Sequence, residues 1–504
     1  MRRRHERCAR VALVVAAIAA LGGCAVGPNY KRPPVITPEA YKEIEGWKVA
    51  EPGDLAMRGA WWEMFADPTL NELESRVSAA NQTLVAAAAN YRQATALVRE
   101  ARAGFFPTVT IGAGYTRSQV SSTLTSSGSN ANATAGSLTG GVSSTTGRPT
   151  NFFQMPIDVT WTPDFWGRVR RTVESNQAAA QASAGDLETA RLSLQAELAQ
   201  DYFQMRTLDA QRKLLDETVT AFEQSLELTR TRFRGGVASQ VDIVQAETQL
   251  ETTRAQAIDV GVARAQFEHA IAVITGQAAS TFTLAMAPLT APPPSVPIGV
   301  PSQLLERRPD IAAAERRMAS ANAQIGVALA AYYPTITLSG SAGFESSSIA
   351  QWFTWPSRFF AVGPAITQTL IDGGLRHAQT DQARAAYDNS VANYRETVLT
   401  AFQGVEDNLA ALRILESEAD VQERAVRAAR RSVTLTTSQY RAGIVSYLNV
   451  ITTQTIALGN EVTAVQILGR RMTSTVLLIQ ALGGGWNQAE LPSAAAVTER
   501  TRER

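Results

Sequence analysis

Proline is missing from two long stretches of this chain, Val169 to Phe233 and Leu375 to Tyr440, and cysteine is nearly missing from all of it. Without the residue that breaks helices, the first stretch can run as one helix of ~97 Å at 1.5 Å per residue. The two cysteines are Cys8 and Cys24; Cys8 falls in a leader segment, so no internal disulfide is expected in the mature chain. Beyond that leader no apolar run approaches the ~20 residues of a transmembrane helix, so any membrane crossing has to use strands. There is no GxxxxGK[ST] phosphate loop and no HExxH, and His5, His269 and His377 lack metal-ligand spacing. No catalytic residue, cofactor or metal is therefore expected, and the protein is not read as an enzyme. A net charge of +1 with interspersed signs argues against a nucleic-acid partner. The Arg316-Arg317 and Arg430-Arg431 pairs lie among acidic residues and read as solvated helix faces.

What is present is duplication. Pro107-Thr-Val-Thr-Ile111 returns as Pro334-Thr-Ile-Thr-Leu338, an offset of 227 residues, whereas Phe233-Arg-Gly-Gly-Val-Ala-Ser239 returns as Tyr440-Arg-Ala-Gly-Ile-Val-Ser446, an offset of 207. The first copy thus carries 20 extra residues between these motifs. A repeat of this size fixes the architecture before any element is assigned.

The N-terminus addresses the protein. Met1-Arg-Arg-Arg is basic, Val11 to Leu21 is apolar, and the run ends in Leu21-Gly-Gly-Cys24, the form of a secretory leader. A cysteine straight after small residues marks a lipoprotein cleavage site, so Cys24 is expected to become the acylated first residue, a lipid anchor. The alternative is ordinary cleavage that leaves Cys24 a free thiol. Ala25 in the next position favours sorting to the outer membrane. The chain divides into a leader 1–23, a lipid-anchored segment 24–67 with Trp47, Trp61 and Trp62 as packing anchors, a first repeat 68–276 (helix, two strands, long helix, helix), a Pro-rich linker 277–300, a second repeat 301–482 and a C-terminal tail 483–504.

Within the repeats two periods alternate. Val77, Leu84, Tyr91 and Val98 recur every seven residues, a helix over 68–103 that Pro107 stops. Val109, Ile111, Ala113 and Tyr115 then alternate with Thr108, Thr110, Gly112 and Gly114, and Phe153 to Trp161 alternates likewise, as two-faced strands do. Ser118 to Thr150 between them is a Ser/Thr/Gly/Asn-rich loop. The second copy repeats the pattern with Ile336 and Leu338, a shorter loop near Trp352 and Trp355, and a less regular strand around Val362 and Ile366. The strands have the 9–11 residues a tilted membrane strand needs. Aromatic pairs frame them, Phe105-Phe106 and Tyr332-Tyr333 at one end, Phe152-Phe153 and Phe359-Phe360 at the other, as in outer-membrane barrels. A soluble sandwich with aromatic corners is the alternative. Four strands cannot close a barrel alone, and an open edge in hydrocarbon costs several kcal/mol per unpaired group. Two chains would give eight strands, whose interior side chains fill; a duct needs at least three.

The Pro-free segments carry a coiled-coil seam, Leu208, Leu215, Val219, Phe222, Leu226 and Phe233, echoed by Leu415, Val426, Val433 and Tyr440. Shorter helices near 68–103 and 238–275, ~54 and ~57 Å long, laid end to end match the long one. The long helix descends from the barrel, turns tightly at Gly235-Gly236, and one short helix returns.

At this point the residues resemble a known family. Gly23-Cys-Ala-Val-Gly-Pro-Asn-Tyr-Lys-Arg-Pro33 is similar to the mature start of outer-membrane factor lipoproteins, the NodT-type branch of TolC-like efflux channels, and Leu304-Leu-Glu-Arg-Arg-Pro-Asp-Ile311 resembles that branch's most recognisable motif. Pro309 suits a first helical turn and Asp310 the positive end of its dipole. Asp164-Phe-Trp-Gly-Arg168 and Asp372-Gly-Gly-Leu-Arg376 resemble the family's strand-to-helix junctions. The resemblance implies an α+β membrane protein: a homotrimer whose twelve-stranded outer-membrane barrel, four strands per chain, continues into a periplasmic helical barrel. It also implies a periplasmic adaptor and an inner-membrane pump, most often proton-driven and of the RND type. The turns Arg234-Gly235-Gly236 and Arg441-Ala442-Gly443 would be the periplasmic tips that meet the adaptor, though the glycines equally serve as turn punctuation. Residues after the tips would narrow the channel. Asp242 keeps a carboxylate there, but its counterpart is Asn449, and Val445 stands where relatives often carry a charged residue, so the expected constriction is weakly charged and shaped by Tyr447, Leu448 and Asn449. The function so implied is a passive exit duct for drugs or other small toxic molecules. The alternatives are a lipid-anchored structural coiled coil without conductance, or a duct for secreted polypeptides.

Overall fold

The computed structural model describes residues 25–34, 38, 40–43, 59–119, 149–296 and 304–498. Cys24, Trp47 and most of the Ser118–Thr150 insertion lie outside the described residues.

Each repeat is a short helical arm, a strand hairpin, a long helix and a return helix. In the first, α1 (Pro68–Ala80) and α2 (Gln82–Ala103) lead to β1 (Thr108–Ile111), β2 (Gly114–Ser118) and β3 (Thr150–Trp161), then to α3 (Arg168–Arg234) and α4 (Gln240–Ile274). In the second, a one-turn helix at Leu304–Arg307 precedes α5 (Pro309–Ala330), β4 (Thr335–Ser346), β5 (Arg358–Thr367), α6 (Leu375–Arg441) and α7 (Tyr447–Ala481). The long helices α3 and α6 are 67 residues each and the return helices α4 and α7 are 35 each. At 1.5 Å per residue these are ~100 and ~52 Å long. All eight boundaries coincide at the 207-residue offset. Among the described residues no helix is long and apolar enough to cross a membrane.

The helix expected over 68–103 is two helices, a correction with a specific cause. Asn81 ends α1 in an extended conformation, and its side chain accepts from Thr83 N and Leu84 N to start α2, the preferred chemistry of an N-cap. Its amide also donates to Ile274 O (2.8 Å), fixing the joint against the end of α4. The seven-residue spacing survives the break: Val77, Leu84 and Val98 are all buried. Pro309 opens α5 as its first residue, and Arg308 forks onto the Asp310 carboxylate at 3.0 and 2.6 Å.

The main core lies partway along the long helices, where Tyr202, Phe203 and Met205 of α3 meet Ile271 of α4, Ile311 and Met318 of α5, Tyr394 and Val398 of α6, and Val476 and Ile479 of α7. Trp61 joins this core and Trp62 packs against it. The linker is strapped on by a buried ion network: Asp209, fully buried, accepts from Arg206 (3.1 Å), Arg264 (2.8 Å) and the backbone of Ala287 (3.0 Å). The same arginines donate to the carbonyls of Ala285 and Leu284. The tail is packed too, with Val497 buried against Val98 and Ala180.

The N-terminal segment runs as a second strap. Val26 N donates to Trp166 O (3.1 Å), Arg171 donates to Val26 O, Gly27 O and Asn29 Oδ1, Tyr30 donates to Glu315 (2.7 Å), and Arg32 donates to the Tyr394 hydroxyl. Further along, the backbone N–H groups of Lys42 and Glu43 both meet the Glu406 carboxylate.

Candidate functional site

Two places carry the geometry of a duct: the sheet at one end of the molecule and the helix tips at the other. The sheet is an antiparallel meander in the order β1/β2–β3–β4–β5. β1 and β2 are one strand in register, interrupted where Gly112 faces Pro156: Gly112 N donates to Pro156 O (3.0 Å), and proline has no N–H to return. The strand expected to be irregular, β5, pairs with β4 along its whole length.

The two hairpins are the same hairpin. Thr108 faces Thr160, and at the two offsets Thr335 faces Thr367. Between β2 and β3 lie 31 residues and between β4 and β5 lie 11, so the 20-residue excess of the first copy sits wholly in the outer loop.

Residues that face each other across strands share a side of the sheet. One side gathers Val109, Val159 and Val362 with Ile111, Ile157, Ala342 and Phe360; the other gathers Thr110, Asp158, Ser341 and Ala361 with Thr108, Thr160 and Ser339. The apolar side is open in the single chain, with Phe360 and Val362 each 84% exposed. Both outer strands, β1/β2 and β5, have one unpaired edge. At the base, where strands meet helices, Trp166 stacks on Tyr333 (4.9 Å) and donates to Pro334 O (2.7 Å), and Trp161 donates to Phe105 O (3.0 Å).

Each long helix begins at this base on a glycine in the left-handed region, Gly167 (φ +80°) and Gly374 (φ +91°), where any side chain would be strained. The Asp164 carboxylate accepts from Val169 N and Arg170 N, and Asp372 does the same for Gly374 N and Arg376 N. These carboxylates satisfy first-turn donors and suit the positive dipole end. Ala25 sits against Gly167, where a Cβ would come within 2.7 Å of its Cα.

At the far end each long helix reverses through a left-handed glycine, Gly236 (φ +77°) and Gly443 (φ +78°). Gly235 follows Arg234 with φ −82°, and Ala442 ends α6 in an ordinary helical conformation, so only the second residue of each turn requires glycine. The tips are joined within the chain: Arg232 donates to Arg441 O (2.8 Å) and lies over the Tyr440 ring at 4.7 Å. Arg234 pairs with Glu227 (2.9 Å).

The residues after the tips divide. Asp242 closes a capping box, accepting from Ser239 N (2.8 Å) while its own N–H donates to Ser239 Oγ (3.2 Å). Asn449 instead donates from its amide to Ser446 Oγ (3.2 Å). Tyr447, expected to shape an opening, is 2% exposed and packs with Phe222, Leu226, Ile243 and Tyr440. Its hydroxyl shares a 3.1 Å hydrogen bond with Ser225, and burial pushes its pKa up. Leu448 is exposed and Asn449 stands beside it. Along the seam Leu215, Phe222, Leu226, Leu415, Val426 and Tyr440 are buried, whereas Phe233, the counterpart of Tyr440 in the first copy, is exposed.

A further feature of the tips was not anticipated. Val237 and Ile444, equivalent in the two copies, are 65% and 73% exposed, and Val241 and Leu448, also equivalent, are exposed as well. Aliphatic residues repeated at the 207 offset directly beyond the glycines were the available signal.

A family model for outer membrane efflux proteins matches residues 73–277 and 300–484. The probable efflux pump outer membrane protein TtgC of Pseudomonas putida is 30% identical over 468 residues, 92% of this chain and 93% of its own. The pyoverdine export outer membrane protein OpmQ of Pseudomonas aeruginosa is 28% identical over 474 residues, 94% of this chain and 96% of its own. The solved structure of the outer-membrane channel OprN superposes with a TM-score of 0.81 at 28% identity, covering 92% of this chain and 100% of that one. With two-faced strands, paired long helices and most of its length inside that model, the chain belongs to the outer membrane efflux protein family and is the outer-membrane channel of an efflux pump.

Proposed function

We propose that three copies close edge to edge into a twelve-stranded barrel, apolar side to lipid and polar side to a water-filled lumen, with Cys24 acylated at its periplasmic rim. The observation that carries this is the sheet itself: two unpaired edges and one exposed apolar side. In hydrocarbon those edges must find partners, and identical chains supply them by cyclic symmetry. The seat of Ala25 against Gly167 supports the anchor, since it holds the neighbour of Cys24 at the base of the sheet.

The exposed aliphatic tips support docking of a periplasmic adaptor that links the duct to a proton-driven inner-membrane pump of the RND type. Arg234, Gly235, Gly236, Arg441, Ala442 and Gly443 form that surface together with Val237 and Ile444. Leu448 and Asn449 line the constriction, and Tyr447 and Asp242 position it from behind, as core residue and helix cap. The gate is weakly charged, because Asn449 and Val445 are neutral and only Asp242, held as a helix cap by Ser239, keeps a carboxylate there. The cargo is small toxic molecules; OpmQ, a relative, carries the siderophore pyoverdine in its name.

Reconstitution of the purified protein into planar bilayers tests the duct. Large unitary conductance is expected, and cysteine pairs placed on β1 and β5 should crosslink into trimers. An assembly that conducts nothing would favour a structural coiled coil instead.

A further inference from the structure

The charged residues of the described strands separate by sign between the two sides of the sheet. Asp158 and Glu345 lie on the polar side, facing Ser341 and Gln154. Arg117 and Arg358 lie on the apolar side, Arg117 facing Asn151 and Arg358 facing Phe344. Both arginines stand at the end of the sheet away from the helices. A cation on a lipid-facing strand costs ~2–4 kcal/mol at mid-membrane and ~0–1 near the interface, so an outer-end position is tolerable, yet tolerance alone gives no reason for two of them.

Their surroundings do. An aromatic shelf folds from the β4–β5 loop over this side: Trp352 lies 5.5 Å from Phe153, and Phe353 lies 5.8 Å from Phe344. Trp352 donates to Phe344 O (3.3 Å), which fixes the shelf to the strand. Arg358 donates through Nε to Trp355 O (2.9 Å) and lies over the Trp355 ring. Its two terminal nitrogens have no protein partner among the described residues, and Arg117 has none there at all. A guanidinium that lies over an indole and spends its Nε on a backbone carbonyl still has its terminal fork available for a bidentate anion.

The two arginines also occupy the two free edges of the sheet, β2 and β5. Closing the ring brings the β2 edge of one chain beside the β5 edge of the next, so each joint receives one arginine from each of two chains. We propose that this outer rim binds a phosphate-bearing lipid of the outer leaflet, Arg117 and Arg358 taking the phosphate and the Trp352–Phe353–Trp355 shelf taking the apolar body. The proposal rests on the duct reading, which sets the loops outside and the apolar side toward lipid. Charge complementarity selects the occupant, because both cations of this side sit at the level of the lipid headgroups.

The test uses the full assembly purified in detergent. It is titrated with phosphorylated lipid A, with the same lipid stripped of phosphate, and with inorganic phosphate, and bound lipid is counted by native mass spectrometry. The phosphorylated lipid is expected to bind and the stripped form to bind far more weakly. Arg117→Gln and Arg358→Gln should each weaken binding roughly 5-fold, and the double variant more than either alone, without simple multiplication because the two share one phosphate. Equal binding of the two lipids, or variants indistinguishable from wild type, would overturn the proposal. Displacement by equimolar inorganic phosphate would overturn the lipid as occupant and leave a free-anion site. Should the variants fail to assemble, the two lipids on wild-type protein still decide. Conductance is measured on the same wild-type preparation: a conducting duct without phosphate-dependent lipid binding sinks only this inference, and a silent one sinks the duct.

Discussion

Glu74 offers a sharp test of the packing, because its carboxylate is buried without a partner. It sits on α1 among Leu70, Leu73 and Val77, is 0% exposed, and neither oxygen is hydrogen-bonded. Burial disfavours the charged form and pushes its pKa up from 4.5 to about 9. The folded chain therefore holds a proton at neutral pH that the unfolded chain has released. For an acid raised in this way, the unfolded state binds fewer protons than the folded one above pH 4.5, so stability falls as pH rises from 4.5 toward 9. Each pH unit in that window costs about 1.4 kcal/mol, which makes ~3 kcal/mol at pH 7. Glu74→Gln cannot ionise and escapes the penalty. Melting of wild type and variant between pH 5 and 8 should show a difference near zero at pH 5 that grows to a gain of a few degrees at pH 8. A difference that stays constant across the range refutes the reasoning. So does a variant less stable at every pH, which would mean that a cation from a neighbouring chain pairs an ionised Glu74.

Asp209→Ala leaves buried Arg206 without a carboxylate, while half-buried Arg264 keeps Glu268 (3.1 Å), so a loss of ~3 kcal/mol is expected, read as a lower melting temperature and earlier protease cleavage within residues 282–296. Gly343→Ala places a methyl within 2.1 Å of Met155 O, whereas the space around Gly363 is open; the first should cut the yield of assembled protein in the outer membrane and Gly363→Ala should not. Arg232→Ala removes the hydrogen bond that ties the ends of the two long helices, while the Tyr447 cluster behind it stays, so unitary conductance should rise while stability falls by only about 1 kcal/mol, the worth of an exposed hydrogen bond. Unchanged conductance would detach Arg232 from gating.

Much of this architecture was legible because the signals were local and repeated. Gly167, Gly236, Gly374 and Gly443 all take the left-handed conformation that a junction or turn demands, and proline-free runs translated directly into helices. Legibility stopped where a residue's side of a helix mattered. The 207 offset located Tyr447 just past the tip, but only the tertiary packing of Phe222, Leu226 and Tyr440 could turn it inward. Asn81 was hidden for a related reason: a heptad running through a cap keeps its buried stripe, so Val77 and Val98 read as one helix although the backbone breaks between them. The capping role of Asp242 follows from its three-residue separation from Ser239 in Ser239-Gln-Val-Asp242, a local signal that the lumenal reading of Asp242 passed over.

The distribution of change between the two copies follows from what each part of the fold can tolerate. A one-residue slip in a strand moves every side chain to the opposite side, and here that would put Asp158 and Thr110 on the apolar side and Val159 and Ile111 on the polar one. The hairpin registers accordingly coincide at Thr108–Thr160 and Thr335–Thr367. A change in the length of a long helix would displace its tip by ~1.5 Å per residue and rotate its buried seam by about 100°, and both long helices are 67 residues. Only the outer loops escape these constraints, since loop closure grows slowly in cost with length, and they absorb the full 20-residue difference. At the tips divergence proceeds by substitution instead, Gly235 against Ala442 and Asp242 against Asn449. The two copies therefore present chemically different turns at equivalent positions of the repeat, so a partner that reads side chains meets two kinds of tip on one chain rather than one.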